Sequence, residues 1–207
     1  MFNGVSSFFD SIQVMKIVLS RIFGILEGCF SWRNVLVLFI VTQIVYGIIL
    51  GFTIPMVTEY SSGMKLLDTM PMGYNSAYVE RLLNILGEEG RRLYLSYQIP
   101  VDMVYPGLFA VAHSLLLMGI FRKNFWLHGK VRYFVLVPIF AGAFDYLENI
   151  GIIIMILIYP KFIPIVADLT SMFSMLKSIF TTLFFGTLIV SLIFLALRIR
   201  VKEQALR

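Results

Sequence analysis

Phe144-Asp145-Tyr146-Leu147-Glu148-Asn149 lies inside an apolar run from Val131 to Tyr159. That run is long enough to cross a bilayer core, which takes about 20 predominantly apolar residues. It nevertheless carries two carboxylates and an amide, and a charge at the centre of a spanning helix costs roughly 2.5 to 3.5 kcal/mol on insertion scales. Such groups have to face partners inside a helix bundle. Asp145, Glu148 and Asn149 stand at i, i+3 and i+4, so a helix presents all three on one face.

The rest of the chain has the composition such a bundle needs. Its 207 residues are 59% hydrophobic and 14% charged, with a mean hydropathy of +0.87. A soluble domain is far less apolar. The formal charge of +5 and pI near 9.4 raise the question of nucleic acid. The basic residues stand at the ends of apolar runs and not along one stripe, so they read as topology signals, and no nucleic-acid partner is expected. A single cysteine, Cys29, excludes an internal disulfide framework.

Working outward, the expected fold is all-α: a polytopic bundle of four transmembrane helices with an N-terminal interfacial amphipathic helix. In residues 1–33 Asp10, Gln13, Lys16, Ser20, Gly24 and Glu27 recur on one side. Phe9, Ile12, Met15, Leu19, Ile22, Phe23 and Leu26 cover the other, as in a helix lying in the membrane interface. The membrane domain covers 34–199, with spans at about 35–54, 101–121, 132–159 and 172–197, and 200–207 form a basic tail. Residues 55–100 form an extramembrane helical element. Asn75 is placed to cap a short helix that ends at Gly87, and a second helix from Glu88 is bent at Pro100 and Pro106.

Eleven of the seventeen Lys and Arg residues fall in three places: the N-terminal segment (Lys16, Arg21, Arg33), the 122–132 loop (Arg122, Lys123, Lys130, Arg132) and the tail (Arg198, Arg200, Lys202, Arg207). Both termini are therefore expected on the cytoplasmic side or its equivalent, the mitochondrial matrix if the source is eukaryotic.

At about 1.5 Å of rise per residue, Asp145 stands about 20 Å and Glu148 about 24 Å from the basic end, Tyr105 about 24 Å, Asp102 about 28 Å and Lys177 about 31 Å. These five, with Asn149, are the expected intramembrane polar network or ligand pocket, with Arg91 and Arg92 as further cations within reach. His113 and His128 have no partners at ligand spacing, so no metal and no cofactor is expected. Ser114 adjoins His113 in sequence, so their side chains point about 100° apart on a helix and form no nucleophile pair.

Gly87-Glu88-Glu89-Gly90-Arg91-Arg92-Leu93-Tyr94, then Asp102, Tyr105-Pro106, Phe144 to Asn149 and Lys177 together resemble a family of small, uncharacterised four-helix membrane proteins. The resemblance covers about residues 70–180 and implies a shared core network. A looser likeness, of architecture only, is to the emopamil-binding-protein-like (EXPERA) proteins. Those are four- or five-helix bundles that include sterol isomerases and a ligand-binding receptor and use intramembrane acidic residues.

Two functions follow. In the first, the protein is a structural, accessory or assembly component of a membrane complex, in contact with membrane lipids and other membrane subunits, and its polar network is fully paired with no space beside it. In the second, it binds or transforms a lipid or sterol-like molecule through an intramembrane carboxylate, which requires a pocket next to the network. The first is the leading expectation, because no catalytic motif is present.

Overall fold

The computed structural model of the chain describes residues 3–204, with side chains for 13, 14, 17–201 and 204. The side chains of Phe9, Asp10, Ile12, Met15, Lys16 and Lys202, and Arg207 as a whole, lie outside the described residues. Helix α1 (Asn3–Cys29) leads into α2 (Trp32–Ile48), which passes through a π turn (Ile49–Thr53) into the short α3 (Ile54–Thr58). A loop with one 3₁₀ turn (Leu67–Thr69) precedes α4 (Ser76–Leu93), which continues through a second π turn (Tyr94–Gln98) into α5 (Ile99–Asn124). After a 3₁₀ turn (Val131–Leu136) come α6 (Val137–Ile158) and α7 (Pro164–Gln204). Four stretches are long and apolar enough to cross a membrane: Trp32–Thr58, Ser76–Asn124, Val131–Ile158 and Pro164–Val201. The protein is an all-α, four-span integral membrane bundle.

Prolines shape two of these spans. A proline lacks an N–H and its ring collides with the carbonyl four residues earlier. The chain does not stop at Pro55, where the first span was expected to close; it widens into a π turn just before the proline and continues to Thr58. The same device precedes Pro100, so α4, the π turn and α5 form one continuous helical stretch. The sharp break lies earlier, at Gly87, whose φ of 63° and ψ of −170° suit glycine and interrupt the helical path. Asn75 caps the start, its Oδ1 accepting from the Tyr78 N–H at 2.8 Å.

Helix α5 packs against α2, α6 and α7, while α6 runs along α7 over the longest interface. In the most apolar windows of the four spans, 61% of the Ser76–Asn124 span and 50% of the Val131–Ile158 span are buried, against 17% of the first and 11% of the last. The second and third spans are thus the interior, and α2 and α7 flank them. Two apolar clusters result. One, at the end of the bundle where the latter half of α1 packs, gathers Leu26, Val35, Leu115, Met118, Phe121, Val135 and Phe184, with Leu19, Ile22 and Phe23 of α1 against it. Ser20, Gly24 and Glu27 face outward from the same helix. The other cluster closes the opposite end, where Leu66, Leu67, Val79, Leu82, Leu83 and Leu86 of the 55–100 segment cover Ile152, Met155 and Ile156. The polar residues lie between the two clusters.

Candidate functional site

The site begins at a bond that a proline cannot make. In α5 the carbonyl of Asp102 would accept from residue 106, but Pro106 has no N–H. The Asn149 amide from α6 fills the gap, its Nδ2 donating to the Asp102 carbonyl at 3.4 Å. Close backbone approach permits it: a Cβ on Gly142 would stand 2.6 Å from the Pro106 carbonyl oxygen. One face of α6, carrying Gly142, Asp145 and Asn149, is therefore pressed on α5 around its proline.

The next face of α6 meets α7. A Cβ on Gly151 would stand 2.0 Å from the Thr170 hydroxyl, so here too glycine sets the spacing. One and two turns further along α7, Ser174 and Lys177 point toward α6. Lys177 Nζ donates to Asp145 Oδ1 at 3.2 Å and forms an ion pair with Glu148 Oε2. Glu148 is wholly buried and in close ion-pair contact with the lysine. Removing charges from water at this depth is offset only by such pairing.

A third element reaches the same place. The loop after α3 folds back into the mouth of the bundle, with Leu66 and Leu67 buried in the cap. It is tied to α7 by the Tyr74 N–H donating to Ser171 Oγ at 2.8 Å and by Ser174 Oγ donating to the Met70 carbonyl at 3.1 Å. Asp68 is thereby inserted above Lys177. Its carboxylate accepts from Tyr94 Oη at 3.0 Å and from Gln98 Nε2 at 2.7 Å, and Thr53 donates in turn to Gln98 Oε1. Burial holds the Asp68 carboxyl above the ordinary carboxylate range, with Lys177, Gln98 and Tyr94 pulling it back down. Tyr94 and Gln98 stand on the π turn before Pro100, and Thr53 on the one before Pro55, so the two proline-induced bulges supply this anchor.

Between these elements is a cavity of about 430 Å³. Asp68, Asp102, Asp145 and Lys177 line it, with Tyr105 beside them and the hydroxyl-bearing Ser178, Thr181 and Thr182 of α7. Ile49, Leu50 and Ile54 form an apolar side, and Tyr46 stacks on Tyr105 with ring centroids 5.3 Å apart. Its walls include both the Tyr46–Ile54 stretch and α7, and α2 and α7 share no extended contact. The volume lies within the roughly 300 to 1,000 Å³ of small-molecule sites.

The structure thus brings Asp102, Tyr105, Asp145, Glu148, Asn149 and Lys177 together, though not all in the roles expected. Tyr105 stands on the cavity wall, stacked on Tyr46. Arg91 and Arg92 do not take part. Arg91 donates to the Leu83 carbonyl at 2.6 Å and stacks over Tyr159, and Arg92 pairs with Glu89 at the surface at 2.5 Å. Both lie beyond the break at Gly87, and among the described residues Lys177 is the one Lys or Arg that lines the cavity. Asp68 is a site residue outside the set expected from helix spacing. The signal for it was present in Leu66-Leu67-Asp68, an apolar pair beside an acid in a loop, which fits a segment tucked inward better than one in water.

His113 lies elsewhere, its Nδ1–H donating to the Phe109 carbonyl at 3.0 Å among Phe39, Phe109 and Phe184. Protein families, curated proteins and solved structures, when compared with the chain, give no match.

Proposed function

We propose that this chain is an intramembrane binding protein for a lipid or sterol-like amphiphile, which enters sideways between α2 and α7. The observation that carries the reading is the cavity beside Asp102, Asp145 and Lys177. A network serving only to lock helices has no need of space next to its charges, and empty volume in a core costs stability. The charged groups of the cavity come from α5, α6, α7 and the Asp68 loop, while Ile49, Leu50 and Ile54 form its apolar side, so head and tail of an amphiphile are sorted by the walls. With the basic end of the bundle on the cytoplasmic side, the site lies in the opposite leaflet.

The test is native mass spectrometry of the protein released from its own membranes. A small molecule bound one per chain, lost when Thr181→Trp fills the cavity while the melting temperature holds, supports the reading. Wild type that carries nothing, and binds nothing from an added total lipid extract, sinks it.

The reading as an accessory or assembly component keeps one observation in its favour: Lys177 and the Ser171 and Ser174 tethers fix α6, α7 and the cap in register. Another protein chain travelling with the wild type in place of a small molecule would turn the assignment to it.

A further inference from the structure

The binding reading leaves the head group of the amphiphile open, and the charges on the cavity walls bear on it. Asp68, Asp102 and Asp145 come from three separate elements and face the cavity with one cation, Lys177. That cation is already engaged, by Asp145 at 3.2 Å and by Glu148 from behind. Asp102 is different. Its residue is only 7% accessible, it borders the cavity, and no cation stands within ion-pair distance of its carboxylate among the described residues. Its neighbour Asn149, which donates to the Asp102 main-chain carbonyl, is a neutral amide and brings no charge. A carboxylate on a cavity wall with no cation beside it is a group that a cationic ligand can pair.

The arrangement suits an organic cation. Among the described residues no three acidic, histidine or cysteine side chains are gathered closely enough to hold a metal ion. The three aspartates are instead spread over walls wide enough for a small molecule. The Tyr46 and Tyr105 pair on the same cavity offers ring faces, which attract cations. Lys177 itself shows that an alkylammonium group is accepted here, since its Nζ donates to Asp145.

We propose that the ligand is an amphiphile with a protonated amine head. The ammonium N–H groups donate to Asp102 and Asp68, and the apolar part lies along Tyr46, Ile49 and Leu50 toward the gap between α2 and α7. This rests on the binding reading above, and it narrows the ligand from any amphiphile to a cationic one.

The full chain in a neutral maltoside detergent is titrated with decylammonium, decyl sulfate and decanol by isothermal calorimetry. The expected result is that decylammonium binds at least tenfold more tightly than decanol, and that decyl sulfate does not compete. Asp102→Asn, which keeps size and shape, weakens decylammonium at least tenfold and leaves decanol as it was; Thr181→Trp removes both. Equal binding of the three probes to wild type overturns the amine head and leaves the amphiphile site standing. Decylammonium binding that survives Thr181→Trp belongs to another surface and overturns the amine proposal, while decanol still lost in that variant preserves the cavity. If no probe binds wild type, both readings fall.

Discussion

At the end of the bundle where α1 meets α5, Arg122 stacks on Phe30 at 4.2 Å, Lys123 on Trp32 at 4.6 Å and Arg198 on Phe125 at 4.1 Å. Their charges stay near the surface, and apolar rings cover only the stems and one face. Toward the opposite end Lys177 is nearly buried between two carboxylates, with further acids across a cavity. Both regions hold cations, but water or lipid head groups can satisfy the first set. Only the protein itself, or something bound in the cavity, can satisfy the second. The contrast separates charge that directs topology from charge that builds a site.

The sharpest way to break the comparison is Lys177→Met, which keeps length and volume but strips Asp145 and Glu148 of their partner. Removing one member of a buried pair costs about 3 to 5 kcal/mol. A large drop in the melting temperature of the detergent-solubilised protein is expected, with most of it recovered in Lys177→Met/Glu148→Gln, where the fully buried acid is gone as well. A single variant as stable as wild type would mean that Asp145 and Glu148 carry no charge needing compensation, and the two ends would then differ less than drawn.

Close packing of α5 on α6 is what makes the acidic face inescapable, and Gly142→Ala tests it. The new Cβ would meet a main-chain oxygen, Pro106 O, at 2.6 Å, and no side chain can swing aside to relieve it. Overpacking of this sort costs about 1 to 3 kcal/mol. The melting temperature should fall by less than in Lys177→Met. The Asn149 amide should also lose its hold on the Asp102 carbonyl, visible as faster hydrogen exchange in the turn around Pro106. Gly186→Ala, on α7 with nothing within 4 Å, is the control that should neither lower the melting temperature nor speed exchange around Pro106.

How much of this was legible in the residues follows from range. The i, i+3, i+4 spacing of Asp145, Glu148 and Asn149 is a local fact, and helical periodicity alone puts them on one face. Counting rise per residue from the basic ends brought Lys177 to a similar height, because spans between fixed interfaces share a ruler. Four spans followed from hydropathy for the same reason. The cavity did not. It depends on α2 leaning on α5 while leaving α7 free, and on a loop turning back into the bundle, neither of which has a local signature. Arg91 and Arg92 failed as partners because the turn at Gly87 sets the azimuth of everything after it, and the Gly87 backbone angles cannot be read from spacing. Asp68 was legible in kind, as an acid beside two leucines, but its neighbours Tyr94 and Gln98 lie more than twenty positions away.

The smallest effect is expected where the comparison says charge is least demanding. Arg122 keeps 37% of its side chain accessible, stacks on Phe30 and stands 3.8 Å from Glu27, itself 48% accessible. Arg122→Gln should cost about 0.5 to 1 kcal/mol, the range for a cation on a ring at an exposed site and for a surface ion pair. A double-mutant cycle with Glu27→Gln divides the two contributions. The Glu27 part should vanish in about 1 M salt, where screening acts within roughly 3 Å, while the Phe30 part, held at contact, persists. The same salt series on wild type and Lys177→Met should leave their difference unchanged, because bulk ions do not reach Glu148, which has no accessible surface. A difference that shrinks with salt would place water and ions at the buried pair, and the distinction between the two ends would become one of degree.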